Sequence, residues 1–181
     1  MIDLQLVYKI MNWHAAKADN KHVGLFIPLP SNVAKQFPED GREGEDSSPE
    51  HITLVYIGEF HNELEDKLKN IVQIFASKTK PFSVKLVKPK KFVNDEGQTV
   101  LYSPVKSSKL NKLHYALKQV LRTNQIPLNN KYPEYKPHVT IEYVSPEEKP
   151  KYRDLCPKGE WTVDAVWIWG ASEPYMIHLG R

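Results

Sequence analysis

The chain has 181 residues, 40% of them hydrophobic and 26% charged, with a net charge of +3. That is globular composition at a length suited to one domain or two small lobes sharing a core. No run approaches the roughly 18 apolar residues of a membrane span, and the first nine residues carry Asp3 and lack the apolar core and cleavage site of a signal peptide. Cys156 is the only cysteine, which rules out an internal disulfide, argues against a thiolate metal cage and fits a reducing, cytoplasmic setting. The charge is unevenly spread. The charged residues of 38–66 are all acidic apart from Arg42, and those of 78–136 are mostly basic, the latter a footprint expected for a polyanionic ligand.

In chain order, residues 1–22 form an extension with Leu6, Val7, Ile10 and Met11 at helical spacing. A short strand from Leu25 ends at Pro, and Ser31 then caps a short helix to residue 37. Residues 38–49, rich in Gly and acidic side chains, read as a loop. A β-rich run follows from His51, then an amphipathic helix over 63–77 with Leu64, Leu68, Ile71, Val72 and Phe75 inward. Residues 82–87 alternate as a strand, and Asn94-Asp95-Glu96-Gly97 suits a hairpin turn inside a loop over 89–98. A short strand from Leu101 ends at Pro104 and leads to a helix over 107–123, with Leu110, Leu113, Ala116, Leu117, Val120 and Leu121 on one face. A second β-rich run starts near His138. Residues 161–169 alternate as one strand, and residues 175–179 close a final hairpin.

Two of these segments read almost alike. Glu50-His51-Ile52-Thr53-Leu54-Val55-Tyr56 and Pro137-His138-Val139-Thr140-Ile141-Glu142-Tyr143 each carry His-x-Thr, an apolar residue and a Tyr two positions later. Upstream of each lies a second match, Leu25-Phe26-Ile27-Pro28-Leu29-Pro30-Ser31 against Leu101-Tyr102-Ser103-Pro104-Val105-Lys106-Ser107. The chain therefore repeats a unit of strand, helix, loop and His-strand. Alternate residues of a strand share a face. His51 then points with Thr53, and His138 with Thr140 and Glu142, while Tyr56 and Tyr143 point the other way, into the core. Two imidazoles and two hydroxyls on facing strands suit displacement at phosphorus. One histidine activates the nucleophile, the other protonates the leaving oxygen, and the hydroxyls donate to the charged phosphoryl oxygens. No sequence pattern for a metal site is apparent.

These motifs resemble those of the 2H phosphoesterase superfamily, the LigT-like 2′-5′ RNA ligase and cyclic phosphodiesterase group. The resemblance runs from about residue 23 to 179. It implies an α+β fold, bilobal and pseudo-twofold, with two antiparallel sheets flanking a central cleft and helices outside. The single domain would be 23–181, with lobes near 23–100 and 101–181 and strand exchange between them left open. It implies a phosphodiesterase without cofactor or metal, with His51, Thr53, His138 and Thr140 as its catalytic set. Family members act on 2′,3′-cyclic phosphates, ADP-ribose cyclic phosphate, 2′-5′ linkages, RNA 3′ ends and, in phage anti-defence members, cyclic oligonucleotide signals. The expected partner is thus a nucleotide, cyclic oligonucleotide or short RNA, acted on by a monomer away from membranes. Candidates to contact substrate are Glu142, on the face of His138; Tyr135 and Lys136, leading into the second motif; and Trp169 and Trp13, as stacking surfaces for bases. His22, His61, His114 and His178 lack matched partners and are taken as structural or surface groups. Two alternatives differ in class: a nucleotide or RNA sensor that binds without turnover, and a partner-binding protein using the acidic 38–66 segment.

Overall fold

The computed structural model describes residues 22–38, 49–131, 134–170 and 173–181. Its elements are β1 (His22–Pro28), α1 (Ser31–Ala34), β2 (His51–Glu59), α2 (Glu65–Ser77), β3 (Phe82–Leu86), β4 (Lys90–Val93), β5 (Thr99–Lys106), α3 (Leu110–Thr123), β6 (His138–Val144), β7 (Glu160–Val163), β8 (Ala165–Trp169) and β9 (Tyr175–His178). The fold is α+β, with two antiparallel sheets. The first has the order β2-β1-β8-β9. In the second, β5 is flanked on one side by β6 and on the other by β3 and β4 end to end, and β7 pairs with β3.

The two sheets correspond strand for strand. Pro28 pairs with His51 and Pro104 with His138; Phe26 pairs with Thr53 and Tyr102 with Thr140. On the far side of the inner strand, Gly24 pairs with Trp169 as Val100 pairs with Phe92. The halves of the sequence do not each make one sheet, however. β3 and β4 precede the second unit yet belong to its sheet, and β8 and β9 return from the C-terminal end to complete the first.

One core joins both sheets and the helices, with Ile27, Ile52 and Leu54 from the first sheet packed in the same cluster as Val84, Val105 and Ile141 from the second. The period of α3 turns Leu110, Leu113, Leu117 and Leu121 inward, and α2 buries Leu68, Ile71, Val72 and Ala76. The helix expected from Ser107 starts only at Leu110. The Ser107 hydroxyl instead donates to the Ser83 carbonyl and accepts from the Lys109 amide. The single strand expected over 161–169 is two. The chain leaves the second sheet after Val163 and enters the first at Ala165, so β7 and β8 pair with different neighbours. β8 is buried at four consecutive residues, Val166 to Trp169, and its apparent alternation in sequence carried no sidedness. The turn expected at Asn94–Gly97 forms: Asn94 Oδ1 accepts from the amides of Glu96 and Gln98, and Gly97 takes a φ of 80°.

Candidate active site

β2 and β6 lie at matching ends of their sheets, touch one another, and present the two His-x-Thr motifs. Each histidine is held in the same way. His51 Nδ1 donates to the Pro49 carbonyl at 2.7 Å, and His138 Nδ1 donates to the Lys136 carbonyl at 2.7 Å. A carbonyl can only accept, so Nδ1 carries the proton in both rings and Nε2 is the basic nitrogen of the neutral imidazole. Both side chains are half-buried, as are Thr53 and Thr140. Burial lowers the His138 pKa below its ordinary 6.5, although the bond to the Lys136 carbonyl works the other way, so this ring is neutral at pH 7.

Each motif is interrupted at the same place. Between Phe26 and Leu25 the pairing on β2 jumps from Thr53 to Val55, leaving Leu54 as an extra residue; between Tyr102 and Leu101 it jumps from Thr140 to Glu142, leaving Ile141. These are matched β-bulges. Each reverses the inside–outside alternation directly after the threonine. The packing shows the reversal, with Leu54 and Val55 both buried in β2 and Ile141 and Glu142 both buried in β6.

Aromatic rings flank each histidine at equivalent positions. Phe26 meets His51 edge-on at 4.9 Å, Trp169 meets it at 5.1 Å, and the Phe26 and Trp169 rings stack at 4.6 Å. Gly24 makes room for this, since a Cβ there would collide with the Phe26 ring. Around His138, Tyr102 lies at 5.2 Å, Phe92 at 6.3 Å, and the two rings meet at 5.3 Å. The pairs differ in access: Phe26 and Trp169 are 9% and 0% exposed, whereas Phe92 is 42% exposed.

The profile of the 2′-5′ RNA ligase superfamily matches residues 35–173. The chain belongs to this superfamily, that of the 2H phosphoesterases. It is accordingly an enzyme of phosphodiesterase type. Solved structures share its fold. TT0787 of Thermus thermophilus is 20% identical, with a TM-score of 0.60 over 87% of this chain and 94% of that one. E. coli LigT complexed with NADP+ is 16% identical, with a TM-score of 0.61 over 89% and 99%. Kluyveromyces marxianus Usb1 is 13% identical, with a TM-score of 0.54 over 89% and 100%. No curated protein sequence matches the chain.

Several residues of this 2H phosphoesterase lie elsewhere than strict alternation places them. Glu142 is not on the face of His138. The bulge at Ile141 turns it to the buried side, where its carboxylate accepts from the amides of Lys151 and Tyr152 at 3.1 and 3.2 Å and holds the segment after β6. The same reversal takes the repeated tyrosines out of the core: Tyr143 is 36% exposed, and the half-buried Tyr56 has its hydroxyl 2.7 Å from Nδ1 of the exposed His22. Trp169 offers no surface to a base, being sealed against Phe26 and His51. Tyr135 does not line an open mouth: its ring stacks on His114 at 3.8 Å, and its hydroxyl donates to the Thr53 carbonyl at 3.1 Å. The Lys136 side chain is exposed and paired with Glu134 at 2.9 Å, while its carbonyl holds His138. Trp13 lies outside the described residues. The pattern of single motifs left Phe92 and Tyr102 unnoticed. For Tyr102 a signal existed, because it matches Phe26 in the upstream repeat. Among the described residues, no three His, Cys, Asp or Glu side chains gather so as to hold a metal ion, and no helix is long and apolar enough to cross a membrane.

Proposed function

We propose that the chain is a metal-independent phosphodiesterase that cleaves a nucleotide phosphodiester next to a ribose hydroxyl, using His51 and His138 as an acid–base pair. The observation that carries this reading is the matched tethering of the two rings, each Nδ1–H on the carbonyl two residues earlier and each His opposite a Pro in the paired strand. Two imidazoles in one tautomer, related by pseudo-twofold symmetry, suit attack and departure on opposite sides of a phosphorus. His138, kept neutral by burial, is suited to take the proton of an attacking water. His51, protonated, then gives a proton to the leaving ribose oxygen, so that a P–O bond forms to water as the bond to ribose breaks. The reverse direction exchanges the roles. No hydrogen bond joins the hydroxyl of Thr53 or Thr140 to another of the described residues, and both are suited to donate to the phosphoryl oxygens.

The LigT structures named as complexes with 3′-AMP, ATP and phosphate fit a nucleotide or phosphate ligand here. The exposed Phe92 beside His138 provides a face on which a base can stack. The test is product identification by mass spectrometry after incubation with 2′,3′-cyclic nucleotides, 2′-5′ and 3′-5′ oligonucleotides, ADP-ribose cyclic phosphate and cyclic di- and trinucleotides, with and without EDTA. Turnover that survives EDTA and falls on the order of 100- to 10,000-fold in His51→Ala and in His138→Ala is expected. Turnover within a few-fold of wild type in either variant would sink the assignment, and tight nucleotide binding with no product would favour a sensor.

A further inference from the structure

We propose that Tyr135, backed by His114, is a positioning residue that ties the two histidine motifs together. The inference rests on reading His51 and His138 as the reacting pair, and adds a residue that acts on them without touching substrate.

Tyr135 bonds to one motif and stands beside the other. Its hydroxyl donates to the carbonyl of Thr53 in the first motif. The next residue, Lys136, supplies the carbonyl that receives the Nδ1–H of His138. Pro137 follows, and a residue before proline is confined to extended backbone, so the Lys136 carbonyl has little freedom to move independently of its neighbours. The Pro137 carbonyl is itself held by the Val105 amide at 2.9 Å. The direction of the Lys136 carbonyl is thus fixed from two sides, by β5 through Pro137 and by β2 through Tyr135.

The bulge explains why the brace sits where it does. A bulge leaves its extra residue without a place in the ladder, and buried backbone carbonyls require a partner. Leu54 is that residue in β2, and its carbonyl accepts from His114 Nδ1 at 2.6 Å. The adjoining Thr53 carbonyl takes the Tyr135 hydroxyl, and the two donors stack with their rings 2° from parallel. His114 comes from α3 and Tyr135 from the segment before β6, so the second unit secures the irregular point of the first. Packing alone does not call for the hydroxyl, since Phe would fill the same space. Burial pushes the phenol well above its ordinary 10.0, so it stays a donor at any working pH.

The test is Tyr135→Phe in the full chain, read by steady-state kinetics on whichever substrate wild type turns over and by long-range ¹H–¹⁵N NMR of the histidine rings in the free protein. The brace predicts a fall in kcat of roughly 5- to 50-fold with KM within about twofold, as for a misplaced reacting group. It also predicts a smaller Nδ1–H population for His138. A kcat within about twofold of wild type, or an unchanged His138 tautomer, overturns it. The NMR arm needs no substrate. If wild type turns over nothing on the panel, the functional reading fails, while the tautomer alone still decides the brace, in its favour if it shifts and against it if it does not. His114→Asn, which returns a donor toward the Leu54 carbonyl, is expected to keep most of the kcat that His114→Leu loses; equal losses in both remove His114 from the brace.

Discussion

At the scale of the residue, histidine does two different jobs in this chain. His51 and His138 present a basic Nε2 because a carbonyl fixes the proton on Nδ1. His114 uses the same Nδ1–H to close a gap in a strand and is 7% exposed. Burial is the largest influence on its pKa and lowers it; the Leu54 carbonyl opposes this, and Lys118 and Arg122 add to the lowering. His114 and His138 therefore both have folded-state values below 6.5. The unfolded chain then binds protons more readily than the folded one as pH drops below 6.5, and stability is lost as pH falls through the two folded values. Urea midpoints are expected to fall between about pH 7.5 and about pH 5.5, and to fall less in His114→Asn, which removes one of the two groups. A flat wild-type profile would contradict neutral burial of both rings.

The strands carry a less obvious lesson. The repeat was legible because both copies kept residue types and spacing within two segments, the strand around the upstream Pro and the His-x-Thr run to its Tyr, although the stretch between the two segments differs in length. What each strand does after its threonine was not legible, because a bulge is a property of pairing with a neighbour and sequence alternation continues unbroken through it. Glu142 shows the consequence. By alternation it stands beside His138; in the structure it is a buried carboxylate committed to two backbone amides. Glu142→Ala is therefore expected to cost about 1–3 kcal/mol in urea unfolding, by orphaning the amides of Lys151 and Tyr152, while Glu142→Gln, which keeps an acceptor, costs less. If Glu142→Ala unfolds like wild type but loses turnover, the residue belongs to the site after all.

The whole molecule is assembled by strands that cross between the two units. β8 lays Trp169 against Phe26 and His51, and β4 lays Phe92 beside Tyr102 and His138, although β8 follows its sheet's motif strand in sequence and β4 precedes its own. Equivalent flanks that arrive from opposite directions leave no periodic trace. A chain ending at residue 144 would keep both motifs but lose β7, β8 and β9, exposing Phe26 and the open edge of β1. Such a fragment is expected to show no cooperative thermal transition and no near-ultraviolet circular dichroism; a native-like melt would mean that the first sheet is stable without its C-terminal strands.

Residue types at matched spacing determined the duplication, the two His-x-Thr strands, the inward faces of the helices and the turn at Gly97, because each depends on local period or local backbone preference. Only the tertiary structure decided which side of each strand follows the threonine, which aromatic rings enclose each histidine, and that Tyr135 and His114 join one motif to the other. Those features come from contacts between segments tens of residues apart, and a side chain's neighbours across such a distance are set by how the sheets close rather than by the order of the chain.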